Sequence, residues 1–233
     1  MITIKAKNMS IQQKGFTLVE ISIVLIVIGI IIGAVSIGKD LQRNASYMQI
    51  NNAFIQGWMQ AYQSYFERNG FVVGDTSTAP TLKVNASNTE RCSSDLYADM
   101  DAAGIKMPPG RAEGKEDLFV YLDSNGNPQQ LAICFQNVSW SIPGATSGYV
   151  LRQKNVMVIK SLTPDLARYL ERSIDQIGDA RFGSFRESTQ AASTSLNSAD
   201  WSIDNRRAYG DASNSNLDES QIAVLTAYYL MNQ

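Results

Sequence analysis

From Phe16 to Gly38 nearly every position is apolar or small, and the single charge in the run is Glu20. About twenty apolar residues span a hydrocarbon core of roughly 30 Å as a helix, so residues 16–38 are expected to cross a membrane. Gly29, Gly33 and Gly38 fit, because glycine is commoner in membrane helices than in soluble ones. From Lys39 to Asn69 the run is no longer uniformly apolar but keeps a helical period. Leu41, Ala45, Met48, Phe54, Ile55, Trp58, Met59, Tyr62, Tyr65 and Phe66 recur mostly every three or four residues. Gln42, Arg43, Asn51, Gln56, Gln60, Gln63 and Arg68 take the other face. No proline intervenes before Asn69-Gly70, which reads as a left-handed helix end. The pattern predicts one continuous helix over 16–69, about 80 Å long at 1.5 Å per residue. Its aromatic stripe is expected to seat a globular head.

Residues 70–117 read as an irregular connector with a short helix near 95–100 and a turn at Pro108-Pro109-Gly110. Strand-forming residues 118–122 and 130–135 flank Asp123-Ser124-Asn125-Gly126-Asn127-Pro128, which predicts a β-hairpin around the Asn-Gly turn. Residues 148–152 and 156–160 predict two more strands, joined by the polar Gln153-Lys154-Asn155. Together they form a four-stranded antiparallel meander edged by Val138-Ser139-Trp140. Thr163 as N-cap, Pro164 at the first position and Asp165 in the first turn open a second helix, running to about Ile177-Gly178. Residues 188–220 are polar, with Trp201 and Tyr209 as isolated anchors; they read as a functional surface loop or a partly disordered stretch. Ile222 to Met231 reads as a closing strand. The fold class is α+β: a long N-terminal α-helix, membrane-spanning then amphipathic, packed against an antiparallel β-sheet head over 70–233.

Charge places the N-terminus. Residues 1–15 hold Lys5, Lys7 and Lys14 and no acid, and a basic flank beside an apolar run stays in the cytoplasm. Formal net charge is −2; without residues 1–15 the chain holds 17 basic against 22 acidic residues, or −5. An acidic head argues against non-specific phosphate binding, and hence against nucleic acid as a partner. There is no histidine, which removes the commonest general base and the commonest metal ligand together. No metal constellation, glycine-rich phosphate loop or catalytic set stands out, so no cofactor, metal or enzymatic activity is expected. Asp123, Asn125 and Asn127 look like half of a calcium loop, but the distal bidentate Glu is missing. Asp200, Asp204, Asp211 and Asp218 match no calcium spacing. Arg152, Lys154 and Lys160 form a candidate anionic-ligand patch that reads more simply as a solvated hairpin tip.

The residues at the head of the apolar run carry a family resemblance. Lys14-Gly15-Phe16-Thr17-Leu18-Val19-Glu20 resembles the N-terminus of type IV pilins and pilin-like proteins, which share a Gly-Phe junction followed by T-L-x-E. A secretory signal peptide fits less well, since its apolar region of 7–15 residues is shorter and would enclose Glu20. An ordinary single-pass anchor leaves Glu20 unexplained. The resemblance implies that a prepilin peptidase cuts between Gly15 and Phe16 on the cytoplasmic side and N-methylates Phe16. Residues 1–15 are then a cleaved leader. It also implies that Glu20 pairs with the α-amino group of Phe16 on a neighbouring subunit.

The function so implied is a structural subunit of a type IV pilus-like filament, assembled through its N-terminal helix. The alternatives are a type II secretion pseudopilin and a minor pilin serving as an adhesin or DNA-uptake tip. Implied partners are further copies of the chain, other pilins, the prepilin peptidase and the inner-membrane assembly machinery. The implied location is the bacterial inner membrane before assembly and an extracellular pilus, or a periplasmic pseudopilus, after it. Many pilins of this family carry a proline near position 37, where this chain has Ile37. The sequence from Thr163 to Arg186 resembles the late part of some large pilin-like proteins, without assigning a role. Beyond the inner membrane an even cysteine pair is expected to be oxidised, so Cys92 and Cys134 are read as a disulfide.

Overall fold

The computed structural model describes residues 15–110, 115–146, 148–202, 208–209 and 218–232. The chain divides into two compact units, Met1–Asn44 and Ala45–Gln233. Helical structure runs unbroken from Leu18 to Asn69: α1 (Leu18–Gln49), a π-helical turn (Ile50–Ile55) and α2 (Gln56–Asn69). Its apolar stretch reaches a mean hydropathy of 2.9, sufficient in length and composition to cross a membrane. In the first unit the large apolar side chains from Phe16 to Leu41 stand exposed, so they require an apolar surround from outside the unit. α1 passes through Gly33 and Gly38 without a break. The left-handed end predicted at Gly70 is present, with φ at 75° and its N–H on the Phe66 carbonyl.

In the second unit the helix buries Tyr47, Ile50, Phe54, Ile55, Trp58, Ala61, Tyr62 and Tyr65. This corrects the stripe read from sequence. Leu41 and Met48 are exposed, and Asn51, assigned to the polar face, is buried. A π turn holds more residues than an α turn, so a stripe extrapolated across Ile50–Ile55 at a steady period loses phase. Asn51 faces the second long helix of this unit, donating from Nδ2 to Ser173 Oγ at 2.9 Å.

The helix packs on one face of an antiparallel sheet. Its strands are β1 (Arg91–Cys92), β2 (Leu118–Leu122), β3 (Pro128–Pro143), β4 (Tyr149–Leu162), β5 (Phe185–Glu187) and β8 (Leu225–Leu230). They run in the order β1-β3-β4-β8-β5, with β2 also on β3. Strands β6 (Ala208–Tyr209) and β7 (Asp218–Ile222) pair separately. Helices α3 (Ser93–Ala102) and α4 (Pro164–Ile174) complete the unit. Aromatic contacts join helix to sheet: Tyr62 stacks on Phe135 at 4.7 Å, and Phe54 meets Phe119 at 5.1 Å.

Four expectations change here. The two strands predicted over 148–160 are one strand, β4, and Val138-Ser139-Trp140 continues β3 opposite it rather than edging the sheet. Gln153-Lys154-Asn155 looks like a turn only when read alone; in the sheet it faces polar partners. Asn155 Oδ1 accepts from Asn137 Nδ2 at 2.8 Å, and Gln153 Nε2 donates to Ser139 Oγ at 3.1 Å. Thr163 holds the N-cap position of α4, but among the described residues its side chain makes no capping bond. Finally, α4 stops at Ile174, because Asp175 turns its carboxylate to the Ser184 and Phe185 N–H groups. The closing strand is present as β8.

Candidate processing and assembly site

The first turn of α1 is built by four consecutive residues. Thr17 stands just outside the helix and Glu20 lies three residues on. Glu20 Oε2 accepts from Thr17 N at 2.7 Å and from Thr17 Oγ1 at 2.9 Å, while Thr17 Oγ1 accepts from Glu20 N at 3.2 Å. This is a reciprocal capping box, which satisfies orphan donors at a helix start. It also places a carboxylate at the positive end of the helix dipole, where negative charge is favoured. The signal, a Thr followed three residues later by Glu before an apolar run, is present in the sequence. Glu20 Oε1 has no hydrogen bond among the described residues.

Phe16 is 84 % exposed and precedes the cap. A Cβ on Gly15 would meet nothing within 4 Å. Among the described residues nothing limits a Cβ at residue 15. The lysines of residues 1–14 lie outside the described residues.

The other candidate residues resolve into structural roles. Cys92 lies directly opposite Cys134 across β1 and β3, and a disulfide joins them with Cα atoms 4.6 Å apart. Their sulfurs and the Glu90 carboxylate lie within 4.8 Å of one another, but the sulfurs are committed to the disulfide and Glu90 is ion-paired with Lys160. The hairpin turn uses its own carboxylate: Asp123 Oδ1 accepts from the N–H of Asn125 and of Asn127, and Oδ2 from Gln129 Nε2. Arg152, Lys154 and Lys160 do not gather into one patch. Eight residues of extended strand, about 26 Å, separate the first from the last. Asp204 and Asp211 lie outside the described residues.

Sequence reading missed the residues that order 175–202. Glu171, Asp175, Asp179 and Glu187 aim carboxylates at backbone N–H groups of Asp179, Ser184, Phe185, Arg181, Ala199 and Ser202. Arg186 lies 4.2 Å from the Trp140 ring centroid and donates to the Ser141 carbonyl. No local motif marks them, since their partners lie eight or more residues away in most cases.

Glu171 is fully buried and also accepts from Trp201 Nε1. Burial raises its carboxyl above the ordinary value despite those donors. A raised acid favours folding below its unfolded value of about 4.5, and that advantage is lost as pH climbs through the folded value. Urea unfolding of the wild type and Glu171→Gln at a series of pH values should therefore show the wild type losing ground relative to the variant. The loss should begin as pH rises above about 4 and proceed by at most about 1.4 kcal/mol per pH unit. A difference that stays flat, or that grows in favour of the wild type, contradicts this assignment.

Residues 11–36 match the family model described as the prokaryotic N-terminal methylation motif. The match encloses Gly15, Phe16, Thr17 and Glu20. No curated protein and no solved structure matches the chain.

Proposed function

We propose that this chain, whose N-terminus is a type IV prepilin-type cleavage and methylation segment and which is therefore pilin-like or pseudopilin-like, is a structural subunit of a type IV pilus-like filament. Residues 1–15 act as a leader that the prepilin peptidase removes between Gly15 and Phe16, with methylation of the new N-terminus. Residues 16–38 anchor the subunit in the inner membrane and later pack in the filament core, while 70–233 form the head. The observation that carries this reading is the apolar helix whose side chains stand exposed, headed by a charged capping box inside the matched segment.

A pilus is favoured over a pseudopilus by the size of the head and by the disulfide within it. In the assembled core the Glu20 carboxylate is cut off from water and needs a cationic partner. Cleavage creates one, the α-amino group of Phe16, and the partner subunit supplies it. No catalytic step is assigned to the chain.

Processing is tested in cells that make the peptidase. The Gly15→Val variant is expected to accumulate at full length in the membrane, with cleaved product reduced at least tenfold. A Cβ at residue 15 meets nothing within 4 Å among the described residues, so the defect is expected in recognition by the peptidase. Cleavage of Gly15→Val at the wild-type rate contradicts the leader assignment.

A further inference from the structure

A cleft of about 520 Å³ lies in the second unit beside α4, within the range of small-molecule sites, about 300–1,000 Å³. Arg168 and Arg172 line it from α4. Residues four apart on a helix share one face, with Cβ atoms about 5–6 Å apart, so both guanidiniums can reach one anion. Neither has an ion-pair or hydrogen-bond partner among the described residues. Glu171 also lines the cleft, but both its oxygens already accept, from Asp179 N and Trp201 Nε1. Burial raises its carboxyl, so it opposes a bound anion less than a solvated acid does.

The segment Asp200–Ser202 lines the cleft as well. Asp200 carries a carboxylate with no partner among the described residues. Ser202 gives its N–H and its hydroxyl hydrogen to Glu187, which leaves its oxygen to accept. Trp201 has committed Nε1 to Glu171 and packs on Phe185 with ring centroids 5.7 Å apart. What the indole offers a ligand is therefore ring carbon. The α4 residues thus donate and are cationic, while Asp200 and Ser202 accept. A ligand that answers all three surfaces has an anionic group, hydrogen-bond donors and a carbon skeleton. Two cations against one unpartnered carboxylate favour a monoanion over a zwitterion, so the donors are hydroxyls rather than an ammonium. A planar carboxylate matches guanidinium forks in the bidentate manner.

We infer that this cleft binds an acidic sugar, its carboxylate on Arg168 and Arg172 and its hydroxyls on Asp200 and Ser202. The inference goes beyond the filament-subunit reading and does not rest on it.

The test is equilibrium dialysis of the full-length chain, purified in detergent, against labelled D-glucuronate. Glucuronate is expected to bind saturably, with a Kd of about 1 mM or below. D-glucose lacks the carboxylate, inorganic phosphate lacks the ring, and phenylalanine carries an ammonium in place of hydroxyls. None of the three should displace glucuronate at equal concentration. Arg172 is exposed, so Arg172→Gln is expected to keep its thermal midpoint and to weaken glucuronate binding at least tenfold. Arg168→Gln should weaken it likewise. The competitor series needs only the wild-type chain and so does not depend on either variant folding. Three results overturn the inference: no saturable binding of glucuronate, wild-type affinity in Arg172→Gln, or displacement by any of the three competitors. Each of them leaves the filament reading intact, because that reading is tested by processing and by entry into filaments.

Discussion

Glu20→Ala subunits are expected to enter the membrane normally and to be depleted at least tenfold from filaments. On the proposed reading Glu20 lies in the first turn of a membrane helix, where headgroup water is within reach. In a filament core that water is gone, and the charge persists only against a partner. The capping box adds a complication that the structure also resolves. Glu20 Oε2 already serves Thr17 N and Oγ1, so loss of the carboxylate removes a helix cap as well as an assembly charge. Glu20→Gln distinguishes the two, because glutamine completes a capping box as glutamate does but carries no charge. If Glu20 acts in assembly through its charge, the Gln variant fails as the Ala variant does. Filament incorporation restored by Gln would reduce Glu20 to a helix cap.

Removing the disulfide should produce the largest loss of stability in the head. Cys92 and Cys134 are 42 residues apart in sequence, and closing a loop of that size restricts the unfolded chain by about 4 kcal/mol in the chain-entropy model. The bond anchors the connector, including β1 and the start of α3, to the central strand β3. Cys134 also belongs to the small cluster with Trp140, Val156, Val158 and Ala191 on the sheet face away from the helix. A Cys92→Ala/Cys134→Ala chain is expected to melt roughly 10 °C lower and to be cut by protease within residues 70–92, with leader cleavage unchanged. An unchanged melting midpoint contradicts a structural role for the bond. Mass spectrometry finding both thiols free in exported protein contradicts the bond itself.

What could be read from the sequence divides by how local the physics is. The Gly15–Glu20 segment was legible because its chemistry is carried by neighbours in the chain, although the capping box inside it was overlooked. The cysteine pairing followed from there being only two cysteines on the exported side of a membrane. The hairpin at Asp123–Pro128 was legible because an Asn-Gly turn sets its own geometry. By contrast, Gln153-Lys154-Asn155 was misread as a turn, since its polar partners Asn137 and Ser139 lie on another strand and only the register brings them opposite. The helix stripe failed before Phe54 because a π turn leaves no clear mark in composition. The carboxylates of Glu171, Asp175, Asp179 and Glu187 were passed over for a related reason. An acid that holds a loop through backbone N–H groups looks in sequence like any solvated acid.

The central claim is that the mature chain begins at Phe16 and enters a filament. Filaments sheared from cells that make this chain, digested with trypsin and analysed by mass spectrometry, test it directly. The account predicts a peptide running from Phe16 to Lys39 with one methyl group on the Phe16 nitrogen, and no peptide from residues 1–15. A chain in those filaments that still begins at Met1, or the absence of the chain from the filament fraction while it stays in the membrane, would contradict the account.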